Sequence, residues 1–134
     1  MSTQDCKMKH LEFIQQVITR MNSNSFLIKG WSVTLVSALF ALAASGTNHK
    51  FVLISYIVVP LFWILDSFYL SQEKQYRHLY DEVRAKAVAD INFSMNASSY
   101  NKDSSTWTAV MTSKTIVVFY GVLILTVSIV MYFL

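Results

Sequence analysis

Residues 51–70 read FVLISYIVVPLFWILDSFYL. Among these 20 residues only Asp66 is charged. As a helix rising about 1.5 Å per residue the stretch covers about 30 Å, the thickness of a bilayer's hydrocarbon core. Lipid offers no partner to backbone N–H and C=O groups, so a spanning segment of this length has to be helical. Two further stretches read the same way. Residues 26–45, FLIKGWSVTLVSALFALAAS, hold only Lys29 as a charge, and residues 115–134, TIVVFYGVLILTVSIVMYFL, hold none. The expected fold is all-α, a three-span helical membrane protein.

Composition agrees. The chain has 134 residues, of which 54% are hydrophobic and 14% charged. Soluble domains carry roughly 25% charged residues, so this chain cannot coat an ordinary water-facing surface. With 3 Gly and 1 Pro it suits long helices better than a turn-rich β fold. A disordered chain, an ordinary soluble enzyme and a disulfide scaffold are excluded. Cys6 is the single cysteine, read as an ordinary thiol with no disulfide partner.

The spans divide the chain into four parts: residues 1–25, a hairpin over 26–70, a polar segment 71–114, and the third span 115–134. Lys and Arg placement sets the expected orientation. Four lie up to and including Lys29, six lie in 71–114, and only Lys50 lies in the short link at 46–50. The N-terminus and the long polar segment are therefore expected in the cytoplasm, with the short link and the C-terminus outside (N-in, C-out). The net charge of +3 is then a topology signal, and no nucleic-acid partner is expected. The expected place is the cell inner (plasma) membrane. A rival reading takes Ala41-Leu42-Ala43 as a signal-peptide cleavage site; the long polar region before the apolar run and the second span just after it argue against this.

Residues 5–21 repeat Leu11, Ile14, Ile18 and Met21 at spacings of three and four, which predicts an amphipathic helix. Asn22-Ser23-Asn24-Ser25 is expected to end it and cap the next. Such a helix either lies on the bilayer surface or packs on another helix. Past the second span no Gly or Pro occurs from residue 61 to 91, so that helix is expected to run on out of the membrane. Leu65, Tyr69, Gln72, Tyr76, Leu79, Tyr80, Val83 and Ala87 trace one face of it. Two readings stay open: a packing stripe on a solvated stalk, or a partner-facing stripe, chiefly Tyr69, Tyr76, Leu79, Tyr80 and Val83. The N-terminal helix is the nearest candidate to cover it. The Ser- and Asn-rich residues 90–107 predict a loop. Asp90, Asn92, Ser94 and Asn96 alternate as in a calcium loop, but Met95 and Asn101 stand where such a loop needs Gly and Glu.

Within the spans the candidate residues are few. Lys29 and Asp66 lie at almost equal distance from the link, so a hairpin puts them at one depth. They are read as an intramembrane charge pair that locks the hairpin, with a gating or ion-contact role and headgroup snorkelling of Lys29 as the alternatives. Gly30, Thr34 and Ala38 form one small-residue row, and Ser37, Ala41 and Ser45 a second. Small rows let helices approach closely, either within the chain or between subunits of a homo-oligomer. Pro60 is expected to kink the second span. Trp31, Trp63, Phe68, Tyr69 and Trp107 fit an interfacial aromatic belt. No catalytic residue, cofactor site or metal site is expected: His10, His49 and His78 are scattered, and no phosphate loop or nucleophile elbow occurs.

The residues Asn24-Ser25-Phe26, Lys29-Gly30-Trp31, Phe62-Trp63, Leu65-Asp66, Phe68-Tyr69-Leu70, Glu73 and Leu79-Tyr80-Asp81 together resemble a group of uncharacterised small bacterial multi-pass membrane proteins. Their arrangement is similar to that of membrane effectors of anti-phage defence systems. The resemblance covers roughly residues 10–95. It implies a non-enzymatic oligomer that perturbs or permeabilises the bilayer when a soluble cytoplasmic partner triggers it. The third span and the lack of a sensor domain depart from the pattern. The alternative function is a membrane anchor or adaptor that recruits a soluble partner through residues 71–114.

Overall fold

The computed structural model describes residues 2–46 and 48–134. Among them the architecture is wholly helical: α1 (Thr3–Ala44), a 3₁₀ segment (His49–Ile54), α2 (Ser55–Ala85), a loop with short 3₁₀ turns, α3 (Trp107–Met111) and α4 (Lys114–Phe133). Three of these segments, Thr3–Ala44, His49–Ala85 and Lys114–Phe133, are long and apolar enough to cross a membrane.

α1 is a single rod of 42 residues, about 63 Å at the usual rise. The expected break at Asn22-Ser23-Asn24-Ser25 is absent, which corrects that reading. Ser and Asn inside a helix cost only a few tenths of a kcal/mol each relative to Ala. Packing along the whole length of α1 outweighs that. Buried Leu11, Ile18, Ser25 and Ser32 recur every seven residues, with Ile14 and Ile28 between them. This is the 3.5-residue period that keeps one seam of a helix on its partner. The true start is a capping box at Ser2: its Oγ accepts from the Asp5 N–H at 3.1 Å, and its own N–H donates to Asp5 Oδ2 at 3.2 Å.

Gly46, at φ +83°, takes the chain out of α1, in the left-handed region that glycine enters at no steric cost. The second apolar stretch opens as a 3₁₀ segment and becomes α-helical only at Ser55. Pro60 sits in the second turn of α2, which continues unbroken to Ala85. The expected continuation out of the apolar stretch is therefore present.

α1 and α2 form an antiparallel hairpin. Its register shows at the polar end, where Lys7 Nζ donates to the carbonyls of Arg84 (3.2 Å) and Lys86 (2.9 Å). A cation there satisfies carbonyls left open by the end of α2 and suits its negative pole. Two cores lie along this hairpin. In the apolar half, Val36, Ala43, Val52 and Val59 pack with Val110, Ile116, Tyr120 and Val127. In the polar half, Leu11, Ile14 and Ile18 pack with Leu79, Val83, Ile91 and Ala97. The N-terminal segment thus packs on another helix.

The loop between α2 and α3 is built from side-chain turns. Asn92 Oδ1 accepts from the Ser94 N–H, Ser94 Oγ from the Asn96 N–H, and Asn96 Oδ1 from the Ser98 N–H, all at 2.9–3.1 Å. The alternation of Asn and Ser serves backbone satisfaction at steps of two. Ser71 Oγ ties the loop back to α2 by donating to the Ser105 carbonyl at 2.6 Å.

Candidate functional site

The chemistry of the apolar half converges on Asp66. It is fully buried at 0% exposure, and three side chains from two other helices reach its carboxylate. Ser25 Oγ on α1 donates to Oδ1. Lys29 Nζ, one turn further along α1, lies 2.6 Å from Oδ2. Tyr120 on α4 donates its hydroxyl to the same Oδ2 at 2.8 Å. Lys29 also donates to Ser25 Oγ at 2.9 Å and sits 5.8 Å from the centre of the Phe119 ring. Tyr120 is held in place by stacking on Trp63, with centroids 5.9 Å apart and planes 11° apart. Trp63 in turn donates to the Met111 carbonyl at 2.9 Å.

A buried carboxylate is tolerated only when paired and hydrogen-bonded, and these donors meet that need. The group joins three helices at one point. Lys29 is the member that reaches the surface, with 20% of its side chain exposed. The donors converge on one carboxylate, so the arrangement acts as a clamp between helices.

Lys29 and Asp66 are together, as the sequence predicts. Ser25 and Tyr120 are the members that sequence reasoning missed. The local rules place Ser25 in a helix break, although its position four before Lys29 puts the two on one face. Tyr120 stands among apolar residues in the third stretch, and only its hydroxyl hinted at a polar contact.

The other candidates fall elsewhere. Gly30, Thr34, Ala38, Ser37, Ala41 and Ser45 are all exposed. The seam against α2 uses Ser25, Ile28, Ser32, Val36 and Ala43 instead. The two small rows therefore lie off the buried seam of α1. The partner-facing stripe is largely occupied: Leu79 and Val83 are buried, and Tyr76 and Tyr80 pack on the same core as Leu11, Ile14 and Ile18. Of the two readings left open, the packing stripe is the one these contacts match, since the N-terminal segment and the loop cover much of it. Tyr69 is partly buried beside Phe68. Within the aromatic set, Trp31 is exposed, whereas Trp63 is drawn inward. Trp107 donates to the Ile64 carbonyl at 2.9 Å. Among the described residues no group of three or more His, Cys, Asp or Glu is placed to hold a metal.

No family model matches the chain, and no match was found among curated proteins or solved structures.

Proposed function

We propose that this chain is a non-enzymatic, oligomerising protein of the plasma membrane that crosses the bilayer three times, N-terminus and polar segment in the cytoplasm and C-terminus outside. Its copies meet through the small-residue faces of α1, and their assembly perturbs the bilayer in the manner of a defence-type effector. The observation that carries the reading is the outward placement of both small rows, Gly30/Thr34/Ala38 and Ser37/Ala41/Ser45. Helices in lipid associate through such faces because backbones can approach closely. The Asp66 clamp meanwhile satisfies the buried charge within one chain, so assembly is not required to neutralise it.

The test is a dye-retention assay on liposomes, combined with the mass of the purified protein in detergent. A discrete oligomer and dye release are expected from the native chain. Ala38→Leu, which fills the small face while adding apolar bulk, should give monomers that retain dye. A native chain that is monomeric and leaves vesicles sealed overturns the proposal.

A second reading, an anchor that recruits a soluble cytoplasmic partner, has one observation in its favour. An open groove of about 730 Å³ runs along the polar half of α1 beside Tyr80, lined by Met8, Leu11, Glu12, Gln15 and Arg20 among others. That reading moves the recruiting surface from the stripe on α2 to the outer face of α1. It predicts intact vesicles together with capture of a partner that Gln15→Glu or Arg20→Glu abolishes.

A further inference from the structure

We propose that His78, Tyr100, Lys102, Asp103, Ser104 and Ser105 form a binding site for a phosphate ester that carries a primary ammonium, phosphoethanolamine in chemical class. The six line one cavity of about 140 Å³ between α2 and the loop that leads to α3. That is roughly the volume of four or five waters in the liquid. The site is built within one chain and does not rest on the assembly of copies. Only a lipid source of the ligand rests on the membrane-spanning reading.

The observation that points to a ligand is Ser105. It is 2% exposed, and its Oγ has no hydrogen-bond partner among the described residues. The described side-chain atoms that are sealed from solvent without a partner are His10 Nε2 and Ser55 Oγ. Ser105 Oγ is not sealed, so this otherwise buried residue opens its hydroxyl to the cavity it lines. Its backbone is fixed on both sides. The carbonyl accepts from Ser71 Oγ at 2.6 Å, and the N–H donates to the Lys102 carbonyl at 3.1 Å. His78 and Tyr100 give the wall a second fixed part, their rings stacked with centroids 6.0 Å apart and planes 18° apart.

The charges on the wall select the ligand. Lys102 and Asp103 are neighbours in the chain and both exposed, yet among the described residues neither enters an ion pair. Arg77, Arg84 and Lys86, by contrast, each pair with a carboxylate within one helical turn. One free cation and one free anion beside the same cavity match a ligand that carries both signs. Lys102, the imidazole and the hydroxyls offer donors to phosphate oxygens, and Asp103 accepts from the ammonium. A plain phosphate would meet Asp103 as a repelling charge, and a plain amine would meet Lys102 in the same way.

Depth fits the same chemistry. Ser71, which holds the Ser105 carbonyl, follows directly on the apolar stretch 51–70. The cavity therefore begins at the level where the headgroup layer of a spanned bilayer starts. His78 lies seven residues further along α2, about 10 Å at the usual rise. A lipid headgroup and a soluble phosphate ester can both present this group there.

The test has two arms, both on the full-length protein in phosphate-free detergent solution. In the first, O-phosphoethanolamine or ethyl phosphate is titrated in while the ring signals of His78 and Tyr100 are followed by magnetic resonance. In the second, phosphatidylethanolamine or phosphatidylglycerol is added and bound lipid is counted by native mass spectrometry. Each pair shares the phosphate and differs in the ammonium. The expected result is one saturable site per chain that prefers the ammonium-bearing member by about tenfold or more. Binding in the first arm alone makes the ligand a soluble ester, and binding in the second alone makes it a lipid headgroup; either supports the site. Lys102→Met should weaken binding by about tenfold or more, and Asp103→Asn should remove the preference for the ammonium. Both positions are exposed in the loop, so the fold is kept. No binding in either arm, or binding that either substitution leaves unchanged, overturns the proposal.

Discussion

Lys29 Nζ and Asp66 Oδ2 meet at 2.6 Å across the hairpin, yet the two partners are not equally placed. Asp66 is fully buried, whereas Lys29 keeps 20% of its side chain exposed. Losing one member of a buried pair costs most when the remaining charge cannot escape. If Asp66→Asn removes the carboxylate, Lys29 can extend its stem and place its ammonium among headgroups. If Lys29→Met removes the ammonium, Asp66 stays sealed with two hydroxyl donors alone. Lys29→Met should therefore be the more destabilising change, by about 3–5 kcal/mol against about 1–3 kcal/mol for Asp66→Asn. Thermal unfolding of the detergent-solubilised variants gives the order, and the reverse order would contradict the geometry.

Tyr120 is the side chain that ties α4 to the clamp. Tyr120→Phe keeps the ring, and with it the stacking on Trp63, and deletes only the 2.8 Å hydrogen bond to Asp66. A hydrogen bond to a charged group contributes about 1.5–3 kcal/mol. The variant should lose that amount of stability, and amide exchange should quicken in α4 before it does in α1. Equal exchange in both helices would show that α4 is held by other contacts.

The continuity of α1 gives a prediction whose sign decides the matter. Asn22 and Ser23 are exposed within the helix. Replacing both with Ala should stabilise the chain by about 0.5–1 kcal/mol, because Ala is the better helix former. Were they caps between two helices, the same change would cost about 1 kcal/mol for each cap lost. Denaturant or thermal midpoints separate the two results.

That comparison also shows what could be read from the sequence. The three apolar stretches, the continuous exit of the second helix and the meeting of Lys29 with Asp66 all follow from hydrophobic length and residue counting. The unbroken α1 does not, because four polar residues in a row satisfy the local rules for a helix end. What overrides them is packing along α2, a relation between residues some 40–60 positions apart, such as Ser25 with Asp66. The turn chain from Asn92 to Ser98 was likewise visible only as an alternation, which by itself suits a metal loop as well as a series of capped backbone amides.

His10 makes the protein sensitive to acid. Its pKa is held below the ordinary value of 6.5 by burial, so the unfolded chain takes up a proton at higher pH than the folded one. Stability is fully present above about pH 6.5 and falls as pH drops below that, until the folded-state pKa is passed. The side chains lining its cavity are Cys6, Lys9, Phe13, Phe93 and Met95, and none of them offers a negative carboxylate to compensate the imidazolium. Unfolding midpoints measured from pH 7.5 to 5 should decline in the native chain. In His10→Leu the part of that slope due to this residue should vanish, and an unchanged slope would remove His10 from the account.

The orientation in the bilayer can be tested apart from any activity. Lys50 is the single Lys or Arg at the hairpin link, whereas Lys74, Arg77, Arg84, Lys86, Lys102 and Lys114 lie from the polar half of α2 to the start of α4. Basic residues remain on the cytoplasmic side during insertion, and α4 runs from that cluster back towards the level of the link, where Tyr56 meets Ser128 at 2.8 Å. Single cysteines placed at Asn48, at Ser99 and beside Leu134, in a Cys6→Ser background, should divide accordingly. A membrane-impermeant thiol reagent applied to intact cells should label the first and third and spare the second until the membrane is opened. If Ser99→Cys reacts from outside while the other two are protected, the chain is inserted the opposite way. If Ser99→Cys and the C-terminal site react alike, α4 does not cross, and the assembly face on α1 would have to be reconsidered in a two-span molecule.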